Sequence, residues 1–136
     1  MKQSLFTLAV LLIIIGFSSC SKDNSAKITG RWQFQSAQYP TYEVMTDSVF
    51  YSFDKGVFEL QTLRRGSLYA EATIGEYYLE GDSIVMTVAP SYMNIAINNE
   101  YYDWKTPQRR FAIRSLDRKS LTISVNDTTY TFRKYY

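Results

Sequence analysis

The sequence predicts an all-β fold, an eight-stranded antiparallel up-and-down β-barrel that follows a cleaved signal peptide. From residue 28 onward, apolar and polar residues alternate with a period of two, which is the period of a strand with one buried face. Turn residues interrupt this alternation about every 8 to 12 positions, which is typical of a β-sandwich or barrel. Eight such runs can be read, and eight strands can close into a ring that leaves no exposed edge.

The predicted strands follow one another along the chain. The first begins at Ile28 and places Gly30, Trp32 and Phe34 on its apolar face. A turn at residues 54–56, "DKG", joins the second strand to the third, and Gly56 suits it because glycine adopts a positive φ without strain. The apolar residues that mark the other seven strands are, in order, Val49, Tyr51 and Phe53; Phe58 and Leu60; Tyr77 and Leu79, ending a run that starts near Leu68; Ile84, Met86 and Val88; Phe111 and Ile113; Leu121, Ile123 and Val125; and Tyr130 and Phe132.

One connection, residues 90–108, is too long to be an idle link in a compact domain. Its sequence, "PSYMNIAINNEYYDWKTPQ", predicts a lid or side loop with one helical turn. It carries Tyr92, Met93, Tyr101, Tyr102 and Trp104. Flat amphipathic rings on a loop suit stacking on a sugar or contact with a partner protein. The alternative is that these side chains fold back over the barrel mouth as a hydrophobic cap.

Aromatic residues are numerous, with two Trp, 12 Tyr and eight Phe, more than the core of one small domain requires. Inward tyrosines such as Tyr51 and Tyr77 could line a cavity and orient a ligand with their hydroxyl groups. The alternative is that they fill the barrel, because eight strands leave room only for side chains or one small ligand. The candidate ligand-binding residues are therefore Tyr51, Tyr77, Tyr92, Tyr101, Tyr102 and Trp104.

The N-terminus has the features of a secretory signal. Residues 5–16 form an apolar run behind Lys2, which is shorter than the ~20 residues of a membrane-spanning helix and fits the apolar region of a signal peptide. The run ends at Cys20 in "FSSC", which resembles the lipobox of bacterial lipoproteins, where the cysteine is acylated and becomes the first mature residue. The alternative is a free buried thiol in an uncleaved signal anchor.

This resemblance divides the chain into three parts. Residues 1–19 are the signal peptide, residues 20–27 a lipidated flexible tether, and residues 28–136 one folded domain. The segment "SKDN" after the cysteine also resembles the signals that direct lipoproteins of Bacteroidota to the cell surface. We therefore expect an outer-membrane lipoprotein of the cell envelope, with surface exposure as the favoured orientation.

Charge and residue usage exclude several function classes. Lys2 leaves with the signal peptide, so the 15 basic residues of the chain fall to 14 against 13 acidic ones, which is no signature of nucleic-acid binding. The chain has no histidine and one cysteine, so zinc, copper or iron sites, Ser/His/Asp triads and Cys/His pairs are not expected. We predict no enzymatic activity and no cofactor.

The charges are segregated along the chain. Residues 43–103 contain ten acidic and three basic residues, whereas residues 105–134 contain eight basic and two acidic ones. The two halves either pair their charges across neighbouring strands or leave a basic face that attracts an anionic ligand.

The first strand carries a family signature. Gly30 and Trp32 in "ITGRW" resemble the Gly-x-Trp motif of lipocalins, and "TFRKYY" stands where that family places an arginine over the tryptophan. Arg133 or Lys134 would fill that role through a cation–π contact. Together with the lipobox, "GEYYLEGDSIVMTV" and "LDRKSLTISVNDTTYTFRKY", residues 28–135 resemble the small lipocalin-like lipoproteins of Bacteroidota.

The resemblance implies a barrel with one open mouth that binds a small apolar or amphipathic molecule. It assigns Gly30, Trp32 and Arg133 to a barrel-closing motif and not to ligand contact. A different class is an interaction module with a filled barrel, which would contact a glycan or another envelope protein through residues 90–108.

Overall fold

The computed structural model describes residues 20–67 and 69–136, with side chains from residue 24 onward. The predicted signal peptide, the side chain of Cys20 and Leu68 lie outside this description. The elements of the described chain are helix α1, Cys20–Ile28; strands β1, Gly30–Gln38, β2, Glu43–Met45, β3, Val49–Asp54, β4, Val57–Thr62, β5, Glu71–Glu80, and β6, Ser83–Val88; a 3-10 helix, Pro90–Tyr92; helix α2, Met93–Asn98; and strands β7, Gln108–Leu116, β8, Ser120–Val125, and β9, Thr128–Tyr135.

Eight of the strands close into an antiparallel ring, which confirms the predicted barrel. Consecutive strands pair from β3 to β9, and β1 completes the ring by pairing with both β3 and β9. In the closing pair, Arg31 lies opposite Tyr135 and Gln38 opposite Thr129, so the contact runs along all of β1. No ring strand among the described residues is left without a neighbour on either side.

The ninth strand, β2, is an addition to the predicted set. It pairs only with the C-terminal end of β1, where residues 36–38 face residues 43–45. Three residues, "EVM", are too few to show a period of two, so the alternation could not reveal this strand. It lengthens one wall of the barrel beyond the ring.

The start of the domain differs from the prediction. We expected residues 20–27 to be flexible and Ile28 to open the first strand, but the structure has helix α1 up to Ile28. Gly30, with φ 125°, then turns the chain into β1. Ile28 is fully buried, and its carbonyl accepts a hydrogen bond from Trp32 Nε1 at 2.8 Å. Because an isolated nine-residue helix is marginal in water, its packing against β5 and β7, which no local pattern shows, explains the difference.

The two ends of the barrel are built differently. Helix α1 lies at the end where β1 begins and packs against β5 and β7; this is the closed end. The opposite, open end carries the longer connections, residues 39–48, 63–70 and 89–107. No helix in the described part of the chain is long and apolar enough to cross a membrane.

The barrel interior is packed ring against ring. At the centre, Phe34 lies edge-on to Phe132 at 5.6 Å and to Tyr130 at 6.5 Å. Toward the open end, Phe111 continues the contact to Tyr130 at 6.0 Å. The tyrosine and phenylalanine side chains therefore fill the interior in this conformation, which is one of the two alternatives that the aromatic content left open.

Candidate binding site at the open end

Residues 89–107, between β6 and β7, form a lid over the open end. The 3-10 helix and α2 bring the expected helical turn into this connection. Helix α2 lies against β5, and its Ala96 is fully buried. The lid therefore rests on one side of the barrel mouth and sends its second half, residues 99–104, across it.

Trp104 is the part of the lid that enters the barrel. Its indole is 1% exposed and lies between Phe58, at 6.0 Å and 28°, and Phe111, at 6.0 Å and 49°. Its Nε1 donates to the carbonyl of Pro107 at 3.3 Å. The open end is thus plugged by a side chain from the lid and not by one from a strand.

Buried hydrogen bonds hold the lid to the ends of β4 and β5. Asn99 Nδ2 donates to Thr62 Oγ1 at 3.1 Å and to Glu71 Oε1 at 2.6 Å. Thr62 Oγ1 in turn donates to Tyr102 Oη at 2.8 Å. Asn99, Thr62 and Tyr102 are each at most 2% exposed, and burial raises the pKa of Tyr102. We call Thr62, Glu71, Asn99 and Tyr102 the latch.

The cationic side chain of Arg109 lies beside Trp104, which we call the plug. Arg109, near the start of β7, donates from Nη1 to the carbonyl of Tyr102 at 3.0 Å and from Nη2 to Tyr130 Oη at 3.4 Å. Its guanidinium carbon is 5.2 Å from the centre of the Trp104 ring and 4.8 Å from that of Phe111. Contacts of this kind stabilise a guanidinium through the ring quadrupole.

The Tyr130 hydroxyl group that contacts this cation has further tyrosines near it. One of them, Tyr39, stacks on Tyr42, with ring centres 4.5 Å apart. Burial raises the pKa of Tyr39 and of Tyr51, and the neighbouring Tyr130 raises both further. Tyr39 and Tyr51 therefore stay neutral over the physiological range.

Sequence reasoning missed Arg109, Tyr39 and Tyr130 as polar groups of this end. The sequence did indicate that Arg109 faces the interior, because Arg109, Phe111 and Ile113 occupy alternate positions on the same face of β7. Tyr39 carried no such signal, since it lies in a connection after β1 and its place depends on Tyr130 from the other end of the chain.

The six candidate ligand-binding residues do not form one site. Tyr102 and Trp104 meet at the open end, and Tyr51 is buried in the core, 4.8 Å from Phe132. Tyr77 packs 5.1 Å from Phe53 and lines a separate groove beside α1 at the closed end. The remaining two are half-buried residues of the lid, Tyr92 and Tyr101.

The loop aromatics divide between the two roles considered for them. Tyr102 and Trp104 fold into the barrel as a cap. The backbone N–H of Tyr101 donates to Asn99 Oδ1 at 2.9 Å, while its side chain lines a shallow surface pocket beside Arg64 and Arg65. Only Tyr101 and Tyr92 remain placed for contact outside the barrel.

The barrel-closing motif is present at the closed end with one correction. Trp32 is fully buried, and Lys134 Nζ lies 4.5 Å from the centre of its ring. Arg133, which we had assigned to this role, points away and donates from Nε to Gln33 Oε1 at 2.6 Å. Alternation explains the difference: Phe132 faces inward, so Lys134 does too and Arg133 faces outward.

Gly30 makes room for this cation. A Cβ at Gly30 would collide with Lys134 Nζ, which also donates a hydrogen bond to the carbonyl of Thr29. Burial lowers the pKa of Lys134. The motif closes the barrel and leaves the open end as the candidate site; in the described residues, no group of three or more histidine, cysteine, aspartate or glutamate side chains is placed to hold a metal.

Comparison with known proteins agrees with this architecture. Residues 15–135 match the model of a family described as a lipocalin-like domain. No curated protein matches the chain. Among solved structures, a lipocalin-like protein from Bacteroides uniformis is 28% identical, with a TM-score of 0.70 over 80% of this chain and 99% of its own.

A second solved structure, an uncharacterized protein from Bacteroides eggerthii, is 29% identical, with a TM-score of 0.71 over 79% of this chain and 99% of its own. The family model spans most of the chain, and the closed eight-strand ring is the fold that this family and these neighbours share. The chain therefore belongs to the lipocalin-like domain family.

Proposed function

We propose that this chain is a non-enzymatic binding protein that takes a small apolar or amphipathic molecule at the open end of its barrel. The observation that carries the proposal is that Trp104, from the lid, occupies the space such a molecule would need. Because Trp104 belongs to no strand, it can leave without breaking the ring. Lipocalin-like proteins are typically binding proteins, which supports the same reading.

The burial energy of the Trp104 indole is of a size that a ligand replacing it can recover. Burying a tryptophan side chain removes roughly 200 Å² from water, which is worth about 5 kcal/mol at ~25 cal/mol per Å². A ligand of similar apolar area recovers this amount when it replaces the indole. The latch adds hydrogen bonds worth about 0.5–1.5 kcal/mol each, so the closed state is favoured when no ligand is present.

A titration with the neutral fluorophore phenylnaphthylamine tests the proposal. We expect saturable binding to the wild-type chain. We expect affinity at least about tenfold higher for Trp104→Ala, because a factor of ten corresponds to ~1.4 kcal/mol, a fraction of the indole's burial energy. Tyr69→Ala is the control, since Tyr69 is 83% exposed on another connection. Absence of binding to both wild type and Trp104→Ala would contradict the proposal.

The proposed location is the outer membrane, through a lipid anchor on Cys20, with the domain on the cell surface. The sequence "FSSC" behind an apolar run supports this. Helix α1 connects Cys20 directly to the closed end, so an anchored barrel would present its open end away from the bilayer. In cell fractionation with fatty-acid labelling, Cys20→Ala should lose both the label and the membrane association; retention of both would refute the anchor.

A second candidate function is favoured by the surface around the open end. Several apolar side chains there are 46–83% exposed, namely Tyr42, Met45, Leu63, Tyr69 and Ile97. Exposed apolar clusters mark interaction sites, and a glycan or another envelope protein would suit them. Double substitution of Tyr42 and Met45 by alanine would abolish capture of such a partner and leave phenylnaphthylamine binding unchanged, whereas the first proposal predicts no partner.

A further inference from the structure

We infer that the molecule bound at the open end carries an anionic group, and that Arg109 is the residue that holds it. This ligand class rests on the binding function proposed above. It follows from three observations on the described residues: a cation without an acidic partner, a groove that reaches it from solvent, and its contact with the plug.

Arg109 has no acidic partner among the described residues. Two nearby basic side chains do form ion pairs, Arg64 with Glu71 at 3.7 Å and Arg110 with Glu80 at 3.2 Å. Arg109 instead contacts two neutral oxygens and three aromatic rings. A guanidinium presents a planar fork of N–H donors that matches the two oxygens of a carboxylate or related anion.

A groove of about 440 Å³ leads to this cation from the outside. Arg109 lines it together with two further basic side chains, Lys105 and Arg110. Its one acidic side chain, Asp103, is paired with Lys105 at 3.8 Å. The volume lies within the ~300–1,000 Å³ of small-molecule sites. An anion can therefore reach Arg109 while the lid is still in place.

The plug and the cation are in direct contact, which couples the two parts of the site. Arg109 donates to the carbonyl of Tyr102 and lies over the ring of Trp104, so an anion on its guanidinium competes with contacts that hold the lid. The apolar body of the same ligand would then occupy the space of the indole. This favours an amphipathic molecule with its anionic head at the groove and its apolar part inside the barrel.

Two probes that differ in one group test this inference on a purified chain of residues 21–136, which contains the closed ring and its core. Anilinonaphthalene sulfonate carries a negative charge that phenylnaphthylamine lacks, and the two otherwise share a scaffold. We expect Arg109→Gln to weaken binding of the sulfonate at least about tenfold, the loss typical of a charged hydrogen bond. Binding of the neutral probe should not weaken, because Arg109 also holds the lid and its loss favours opening.

Arg114→Gln is the matched control, because Arg114 is an exposed residue of the same strand that donates to Ser124 Oγ at 2.7 Å and lies outside the groove. It should leave both affinities within twofold. If both probes bind the wild type and Arg109→Gln leaves the sulfonate affinity unchanged, the binding function stands and the anionic ligand is refuted. If neither probe binds the wild type, the binding function itself fails.

A second measurement needs no variant and covers the case in which Arg109→Gln unfolds. Raising the salt concentration of the wild-type titration should weaken binding of the sulfonate and leave that of the neutral probe unchanged, because salt screens attraction between charges. Equal salt dependence of the two probes would overturn the assignment of an anionic ligand. Arg109→Lys, which keeps the charge and loses the fork, should bind the sulfonate with intermediate affinity.

Discussion

Gly75 shows how closely two strands and a core ring approach each other in this barrel. It lies in the middle of β5, and a Cβ there would collide with the carbonyl oxygen of Thr87 and stand 2.6 Å from Phe58 Cζ. Its backbone φ is not in the left-handed region, so the reason for glycine is the missing side chain alone. A glycine in the interior of a strand often marks such a close approach between neighbouring groups.

We predict that Gly75→Ala lowers the free energy of unfolding by about 1–3 kcal/mol, the usual cost of overpacking a core. Urea unfolding followed by circular dichroism measures this change. The neighbouring exposed residue provides the control: Glu76→Ala should stay within about 0.5 kcal/mol of the wild type. Equal stability of Gly75→Ala and wild type would show that both the backbone at Thr87 and the ring of Phe58 can move aside.

The buried tyrosines make stability depend on alkaline pH. Because burial raises the pKa of Tyr51, its phenol stays protonated in the folded chain above pH ~10, where it ionises in the unfolded chain. The folded chain then binds more protons, so the free energy of unfolding falls as pH rises.

We predict that the free energy of unfolding of Tyr51→Phe falls less steeply than that of the wild type above pH ~10. The two slopes should differ by up to about 1.4 kcal/mol per pH unit. Urea unfolding between pH 9 and about 11.5 measures it, in the range where the unfolded phenol titrates. Tyr136→Phe should follow the wild-type curve, since Tyr136 is 93% exposed. Identical slopes for Tyr51→Phe and Tyr136→Phe would contradict a buried, neutral Tyr51.

Single side chains were predicted well where alternation decides their direction. Trp32 and Phe34 are buried as expected. The same alternation places Lys134 inward and Arg133 outward, so the correct choice between the two was available from Phe132. Arg109 was missed for a different reason. The alternation in β7 places it on the same face as Phe111, but an inward arginine is expected only when the aromatic rings that contact it are known.

The lid is the element whose position decides whether the barrel is open. Its second half is attached through the latch, in which Asn99 bonds to both strands, to Thr62 of β4 and to Glu71 of β5. Hydrogen bonds to a charged group such as Glu71 are worth about 1.5–3 kcal/mol. The lid is therefore held by a small number of separable contacts.

We predict that Asn99→Ala shifts the lid toward the open state and raises phenylnaphthylamine affinity about tenfold, as expected for the loss of about 1–3 kcal/mol. It removes no side chain from the barrel interior, so a gain in affinity reports lid release and not a new cavity. Asn98→Ala is the matched control, because Asn98 is exposed and bonds only within α2, to Asn94. Unchanged affinity for Asn99→Ala would mean that the latch does not control access.

Helix α1 and strand β2 show where element prediction stopped. Both are short, and both depend on partners in other elements: α1 packs against β5 and β7, and β2 pairs with the end of β1. A nine-residue polar helix and a three-residue strand have no periodic signal of their own. The eight ring strands were readable because most of them alternate more buried with less buried residues along their length.

Closure of the ring by β1 and β9 holds the two ends of the chain together. Beyond the ladder itself, Ser36 and Thr131 share a hydrogen bond at 2.6 Å between their side-chain hydroxyl groups. Without β9, the edges of β1 and β8 would be exposed, and exposed edges pair with other chains.

We predict that deletion of residues 128–136 abolishes cooperative unfolding and causes aggregation, which size-exclusion chromatography and thermal melts would detect. Deletion of residue 136 alone is the control and should leave the melting temperature within a few degrees, since exposed terminal residues contribute little. A cooperative, monomeric product of the larger deletion would show that β1 and β8 can rejoin.

The charge segregation of the chain finds a partial explanation in the folded barrel. The exposed pair Arg110 and Glu80 joins the basic and acidic halves, but it links β7 to β5, which are not neighbouring strands. The basic half also supplies Lys105, Arg109 and Arg110 to one groove at the open end. Attraction of an anionic ligand by this surface stays a prediction.

By itself the sequence determined the all-β class and the number of strands in the ring, because a period of two and turn spacing are properties of neighbouring residues. Only the tertiary structure decided that the interior is filled, that Trp104 is the plug and that Arg109 lies beside it without an acidic partner among the described residues. These outcomes depend on which side chains from distant strands and from the lid meet in one volume, and no local pattern encodes that meeting.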